Sequence, residues 1–297
     1  MHQLLRDRFA PAFAALPRVC VKRLVIAACA LFAAPLALAQ GTVQGPLTLG
    51  KQQVAVRFAT ALLHDNAEGL LRGEGPQLRI LLSDVEVGPA GLQGIAFVPA
   101  TQLAREGKVR GLLLAMKPVD PHEVLATVLE QPAGGFSLAS ITLTSKPEPV
   151  IANYRMDGKT VSGTLKLSNM DAKSTGLTFS APVVPVTPVS ADLKGKAATD
   201  SPQVRAMRTR LQAMGRGDTA TMLALSTPAE RRQVEASMEK MGLDAGNMMR
   251  DAAREMQGTL ARVERVVVRG DRAVVIFKAG ESWQEMALID GQWKTGK

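Results

Sequence analysis

Nine of the 13 methionines crowd the last third of the chain: Met207, Met214, Met222, Met238, Met241, Met248, Met249, Met256 and Met286. Thioether side chains are flexible, fill irregular apolar gaps and bind soft metals such as copper. A tight turn over 242–246 would let Met238, Met241, Met248 and Met249 converge. Trp283 or Trp293 would then complete the wall of an apolar pocket. These six residues form the candidate ligand-binding set, for a small apolar molecule. The competing use of the same residues is plain core filling on amphipathic helices, which is the commoner role of methionine.

Acid–base chemistry needs a proton acceptor tuned near the working pH and a donor facing the developing charge. Asp218, Glu281 and Glu285 could each serve as a lone base. The chain after Ser201 contains no His, Tyr or Cys to act with them, and Asp218 is better explained as a helix cap. His64 and His122 read as polar residues at loop edges, and two histidines fall short of the three or four protein ligands of a zinc site. No Gly-x-Ser-x-Gly elbow is present, and Gly73-Glu74-Gly75 and Gly134-Gly135 lack the lysine and helix of a phosphate loop. Arg269-Gly270-Asp271 spells an adhesion tripeptide, but turn chemistry between two apolar strands accounts for it. No catalytic residue, metal or cofactor is assigned, and the chain is read as a non-enzyme.

The N-terminus gives the compartment. Arg18, Lys22 and Arg23 precede an apolar run, Leu24–Leu38, that ends in Ala37-Leu38-Ala39. A basic stretch, a short apolar core and an Ala-x-Ala site make a secretory signal peptide over 1–39, cut after Ala39. The run is shorter than the roughly twenty residues that span a bilayer, and no later run is long enough either. Ile26-Ala27-Ala28-Cys29 resembles a lipid-attachment box, yet lipidation at Cys29 would leave Ala30–Ala39 as an odd apolar tail. The processed chain is expected in the periplasm or medium. Both cysteines, Cys20 and Cys29, lie in the leader, so no disulfide or thiol chemistry follows it. The net charge of +9 drops to about +5 without the leader's five basic groups and one acid. That mild, interspersed excess with few aromatics argues against nucleic-acid binding.

Two blocks of elements must position whatever the chain binds. Residues 40–189 read as a β-rich domain. Pro46–Leu49 and Val54–Leu63 flank Gly50-Lys51, with Val54, Val56 and Phe58 forming the apolar face of the second strand and alanines the other. Strands are also expected at Leu78–Leu82, Val109–Met116 and Glu123–Leu129. Ile151–Met156 and Lys159–Leu167 meet across Asp157-Gly158, the strongest hairpin signal in the chain. A helix covers Pro99–Glu106 and stops at Gly107. Without βαβ rhythm, the sheet should be antiparallel and curled into a barrel or sandwich. Pro182, Pro185 and Pro188 forbid a central strand, so the chain is expected to run as an extended connector with the boundary at 190–200, the alternative being that Ala181–Val186 forms an edge strand of the preceding domain.

Residues 201–297 open with Ser201 as N-cap and Pro202 as first helical residue, and Val204, Met207, Leu211 and Met214 keep helical spacing to Gly215–Gly217. Asp218 caps a short helix, Thr227-Pro228 with Glu230 starts a third, and Asn247 a fourth through Met256. Three strands follow, Leu260–Val268, Arg272–Lys278 and Ser282–Ile289, closed by Asp290-Gly291-Gln292-Trp293. The whole is of the α+β class, a mainly antiparallel N-terminal domain joined to helices on a curved meander.

Gly217-Asp218, Leu225, Val263–Val268, Gly270-Asp271, Ala273–Ile276 and the final Asp-Gly-Gln-Trp, in that order, resemble the nuclear transport factor 2-like superfamily. The resemblance covers about a third of the chain. It implies a cone, with helices filling the concave side of the sheet, and a capacity to form a homodimer. Superfamily enzymes of the ketosteroid isomerase and dehydratase kind use a pocket carboxylate, so an enzyme working through Asp218 or Glu281 is the alternative it implies. Gly45, Leu47, Gly50 and Leu82-Ser83-Asp84 resemble an uncharacterised exported bacterial domain, which carries no site. The expected role is binding or scaffolding in the bacterial envelope, with a small apolar ligand or an envelope protein as partner.

Overall fold

A computed structural model describes residues 41–95, 99–130, 139–168, 172–241, 245–278 and 282–296. The leader, Gly134-Gly135 and Glu281 lie outside the described residues. The first sheet has 11 strands. They are β1 Gly41–Gln44, β2 Leu47–Leu49, β3 Gln52–Val54, β4 Phe58–His64, β5 Gln77–Ser83, β6 Gly111–Met116, β7 Glu123–Leu129, β8 Ser140–Thr144, β9 Ile151–Met156, β10 Thr160–Ser168 and β11 Ala172–Pro185. Their order is β3-β2-β11-β1-β4-β5-β6-β7-β8, with β10 also on β11 and β9 on β10. Each pair is antiparallel except β4 and β11, which run parallel at Val183–Pro185. The backbone amides of Val150 and Ile151 donate to Pro121 O, and the Tyr154 hydroxyl donates to Pro118 O. These bonds bring the β9 end round to the β6–β7 loop, so the sheet curls on itself.

The interior of the curl is apolar, with Leu47, Leu49, Leu78, Ile80, Leu112, Leu114, Leu165 and Phe179 among its buried side chains. The outer face of β4 to β7 is covered by a 3-10 turn at Pro89–Leu92 and by helix α1, Pro99–Arg105. Leu62, Leu81 and Leu113 pack there against Leu92, Ala100 and Ala104. Helix α1 ends as its sequence signals, with Gly107 at φ +68° and the Lys108 amide donating back to Leu103 O.

The chain departs from the sequence pattern at two places in the first sheet. Val54–Leu63 is two strands, not one: the Val56 amide turns back to Val54 O and the Arg57 amide bonds Ser83 O. The break shifts the alternation, so Ala59 and Ala61 face the interior while Phe58 and Thr60 face outward. The stretch with Pro182 and Pro185 is no connector: β11 continues through both prolines. The amides on either side carry the bonding, Val183 N to Lys159 O at 2.7 Å and Val186 N to Leu63 O at 2.8 Å. Each proline therefore sits where a ladder donor is not needed.

The second sheet takes the order β12-β13-β14-β15-β16: β12 Ala191–Lys194, β13 Val263–Arg269, β14 Arg272–Phe277, β15 Trp283–Ile289 and β16 Gln292–Thr295. It has five strands rather than the meander of three with a terminal piece. The additional strand, β12, comes from the expected connector, and Lys196–Thr199 beside it is a short helix, α2. Helices α3 Pro202–Arg216, α4 Thr219–Ala224, α5 Pro228–Met241 and α6 Ala245–Leu260 precede β13. Ser201 accepts from the Val204 amide, Gly217 takes φ +74° and Asp218 accepts from the Thr221 amide, as the capping residues predict. No helix among the described residues is long and apolar enough to cross a membrane.

Candidate functional site

The structure divides the six residues of the methionine–tryptophan set. Met238 and Met249 are half-buried against Leu211, Met214, Met222 and Ala253 in the helix layer. Trp293 joins Val204, Met207, Val266, Val275 and Met286 on the helix-covered face of the second sheet. Trp283 joins Val267, Val274 and Ile276 on the opposite face. Cross-strand register explains the split, because Trp283 pairs with Ile276 whereas Trp293 pairs with Leu288. The side chains of Met241 and Met248 lie outside what the structure describes.

The polar groups that come together instead lie between the sheets. Along β13, Arg265, Val267 and Arg269 point to one side, in line with Val274 and Glu285 on β14 and β15. Residues 65–76, which link β4 to β5, close over this side and set Leu71 against Val267 and Ile276. Arg269 is their anchor. Its Nε donates to Glu68 Oε1 at 2.6 Å and its Nη2 to Glu68 Oε2 at 3.2 Å. Nη1 donates to Asp65 Oδ2 at 3.2 Å and to Thr187 O at 2.7 Å, and Nη2 also bonds Asp65 Oδ1. All five guanidinium donors are used, in two bidentate forks and one carbonyl bond. The Glu68 side chain is 1% exposed and Arg269 7%, so both charges are desolvated and each depends on the other.

A second arginine supports this junction. Arg79 on β5 is buried and donates to Leu92 O, Gly94 O and Gln77 Oε1, which ties the 3-10 segment to the first sheet. Burial lowers its pKa to about 10, against the pull of Glu285 and Glu68, so it stays cationic at neutral pH. Glu285 is buried on β15 and accepts the Ile95 amide at 3.1 Å. Arg265 completes the set with a fork onto Asp192 at 2.7 and 3.0 Å.

His64 ends β4 inside this cluster. It is 2% exposed, not the loop-edge residue its neighbours suggest. Its Nδ1 accepts the Asn66 amide at 3.0 Å, which puts the proton of the neutral ring on Nε2. Burial, reinforced by Arg79, lowers its pKa to about 4. Burial works to raise the Asp65 carboxyl, but the Arg269 guanidinium and the Ala67 amide outweigh it and hold it below the usual range.

His64, Asp65 and Glu68 hold one ligand atom each within 4.8 Å of one another. The guanidinium of Arg269 already binds both carboxylates, and the Asn66 amide already occupies Nδ1 of His64. A metal cation would have to displace or repel that guanidinium, so the donor set fits an arginine clasp. The cavity beside it, lined by His64, Glu68, Ile95, Arg269, Arg272 and Glu285, measures about 30 Å³. That is room for a water molecule or two. Ligand sites run to about 300–1,000 Å³.

Sequence reading named His64, Arg269 and Glu285 singly but did not bring them together, because Arg269 and Glu68 are 201 residues apart and no local spacing links them. The one available signal was His64-Asp65 with Glu68 one turn on, inside a stretch broken by glycines. Asp218 and His122 stand apart from the clasp, Asp218 as a cap and His122 bonded through Nδ1 to Ser145 O at 3.1 Å. No family model matches the chain, and neither a curated protein nor a solved structure matches it significantly.

Proposed function

We propose that the chain is an exported envelope protein of the binding or scaffolding type, and that its occupant is a protein partner. The observation that carries this reading is that both faces of the second sheet are covered, while the cavity at their junction is water-sized. A small apolar ligand would need a lined void, and Met238, Met249, Trp283 and Trp293 are spent on packing. The rival enzyme reading requires a buried carboxylate free to take a proton. Glu68 and Glu285, the two buried carboxylates among the described residues, both hold hydrogen bonds to groups of the fold.

The nuclear transport factor 2-like resemblance belongs to this proposal. Helices on one face of an antiparallel sheet that ends Asp290-Gly291-Gln292-Trp293 support it. Export rests on the basic stretch, apolar run and Ala37-Leu38-Ala39 of the leader.

Native mass spectrometry of the protein purified from a bacterial periplasm tests the reading. A mass that corresponds to residues 40–297 without adduct is expected, alone or in a multiple that reveals self-association. A co-purifying apolar molecule would transfer the role to ligand carriage.

A further inference from the structure

The helix layer carries a charged surface that the clasp and the sheets do not use. On α3, Arg208, Gln212 and Arg216 recur every four residues along one exposed stripe. On α6, Arg250, Arg254 and Gln257 form a second exposed stripe, at spacings of four and three. The helices lie close, with room for a Cβ on Gly215 only at 4.0 Å from Ala253 Cβ. Two adjoining depressions of about 310 and 320 Å³ run between the stripes and share Gln212 and Gln257. Leu211, Ala253 and Leu260 form an apolar floor, four arginines form the walls, and no carboxylate lines either depression.

The arginines are mostly uncommitted. Arg208 and Arg216 make no ion pair among the described residues, and Arg250 bonds only the neutral Asn247 side chain. Arg254 touches Asp251 at 3.0 Å, but both side chains are more than 70% exposed, where a pair contributes little. By contrast Arg210, on the opposite side of α3, is buried and bonded to Ser226 and Glu230. The exposed four are therefore cations held along a groove with none committed to a buried ion pair.

We infer that this groove docks an acidic, extended peptide segment of a partner protein. The inference rests on the partner-binding reading above and names the surface and chemistry for it. Arginine forks match carboxylates in a bidentate way. Gln212 and Gln257 can both donate and accept, which suits a peptide backbone, whereas a phosphate offers only acceptors. The groove is concave with an apolar floor, unlike the flat contact a lipid surface makes. From Arg208 to Arg216 it runs about 12 Å, the reach of about four extended residues.

The test is fluorescence anisotropy of the intact chain with a labelled octapeptide alternating Glu and Leu, against its Gln-for-Glu counterpart. The acidic peptide is expected to bind at least tenfold more tightly, and to weaken as salt rises from 50 to 300 mM, as about 8 Å screening at physiological salt demands. Two charge-reversed variants, Arg250→Glu with Arg254→Glu and Arg208→Glu with Arg216→Glu, should each lose at least tenfold, while Arg155→Glu on the distant β9 keeps full binding. Circular dichroism melts establish that each variant folds. Equal binding of the neutral peptide, absence of binding, or unchanged binding by both double variants overturns the inference. So does tighter capture by vesicles containing anionic phosphatidylglycerol, which would make the groove a membrane contact. Failure here leaves the partner reading to the mass experiment, since a partner can dock on another face.

Discussion

Arg269 on β13 and Glu68 in the β4–β5 loop are 201 residues apart and share two hydrogen bonds, at 2.6 and 3.2 Å. They face each other across the join of the two sheets, and Asp65 and the Thr187 carbonyl take the remaining donors of the arginine. The second sheet is thereby held to the first by charge as well as by Leu71, Ile95 and Val267.

Removing one member strands the others in a low-dielectric site. Arg269→Met alone should destabilise the protein by about 3–5 kcal/mol. Arg269→Met with Glu68→Leu should cost less than the sum of the single changes, because no unpaired charge is left buried. Urea unfolding of the four species in a double-mutant cycle measures the coupling. Strict additivity would show that the clasp is not a unit.

Acid should loosen the fold from the same place. The unfolded His64 imidazole titrates near 6.5, the folded one at about 4. Between those values the unfolded chain binds a proton that the native chain refuses, so stability falls as pH drops through this window. The full effect by pH 4 is about 3 kcal/mol. Lowered carboxyls such as Asp65 act in the same direction, but only below the ordinary carboxylate range. His64→Asn retains an acceptor for the Asn66 amide and cannot titrate, so its midpoint denaturant concentration should stay flat from pH 6.5 to 4. A wild-type slope in that variant would move the effect elsewhere.

Gly111 opens β6 beside β5, where an added Cβ would sit 1.9 Å from Leu82 O. Gly111→Ala should push the strands apart at a register point shared with Ser83. A loss of about 1–3 kcal/mol is expected, in line with overpacking of a close backbone approach. Thermal melts with Gly88→Ala as control, a site with nothing within 4 Å, separate this contact from a general effect of alanine.

If the methionines serve as packing, their shape matters more than their sulfur. Met238→Leu and Met249→Leu should each change stability by less than about 1.5 kcal/mol. Calorimetric melting in the presence and absence of copper(I) should give the same midpoints for both variants and the parent. A copper-dependent rise in the parent alone would assign these thioethers to a metal.

The strands with strong local punctuation were legible before any coordinates. Asp157-Gly158 joins β9 and β10, Gly270 turns β13 into β14 at φ +59°, and Ser201-Pro202 starts α3. What the sequence hid is non-local. Strand β11 passes two prolines because neighbouring amides supply its bonds, and no residue of β11 announces that. Strand β12 is four residues long and owes its form to pairing with β13, more than seventy positions away in the register Asp192–Val267. The alanines of β4 face inward because of a break three residues earlier. The clasp was invisible for the same reason, since each of its charges looks like ordinary surface until the loop and the meander meet.

Strand β11 also sets an order of events. It pairs with β1, β2, β4 and β10, so the curled sheet is incomplete until residues 172–185 are available. Thr42 waits for Ser180, and the clasp waits longer still, for Arg269. A chain wired in this way has high contact order, and such topologies close in milliseconds to seconds rather than microseconds. In the export we propose, slow closure of this kind would keep the nascent segment open until its late pairing partners arrive.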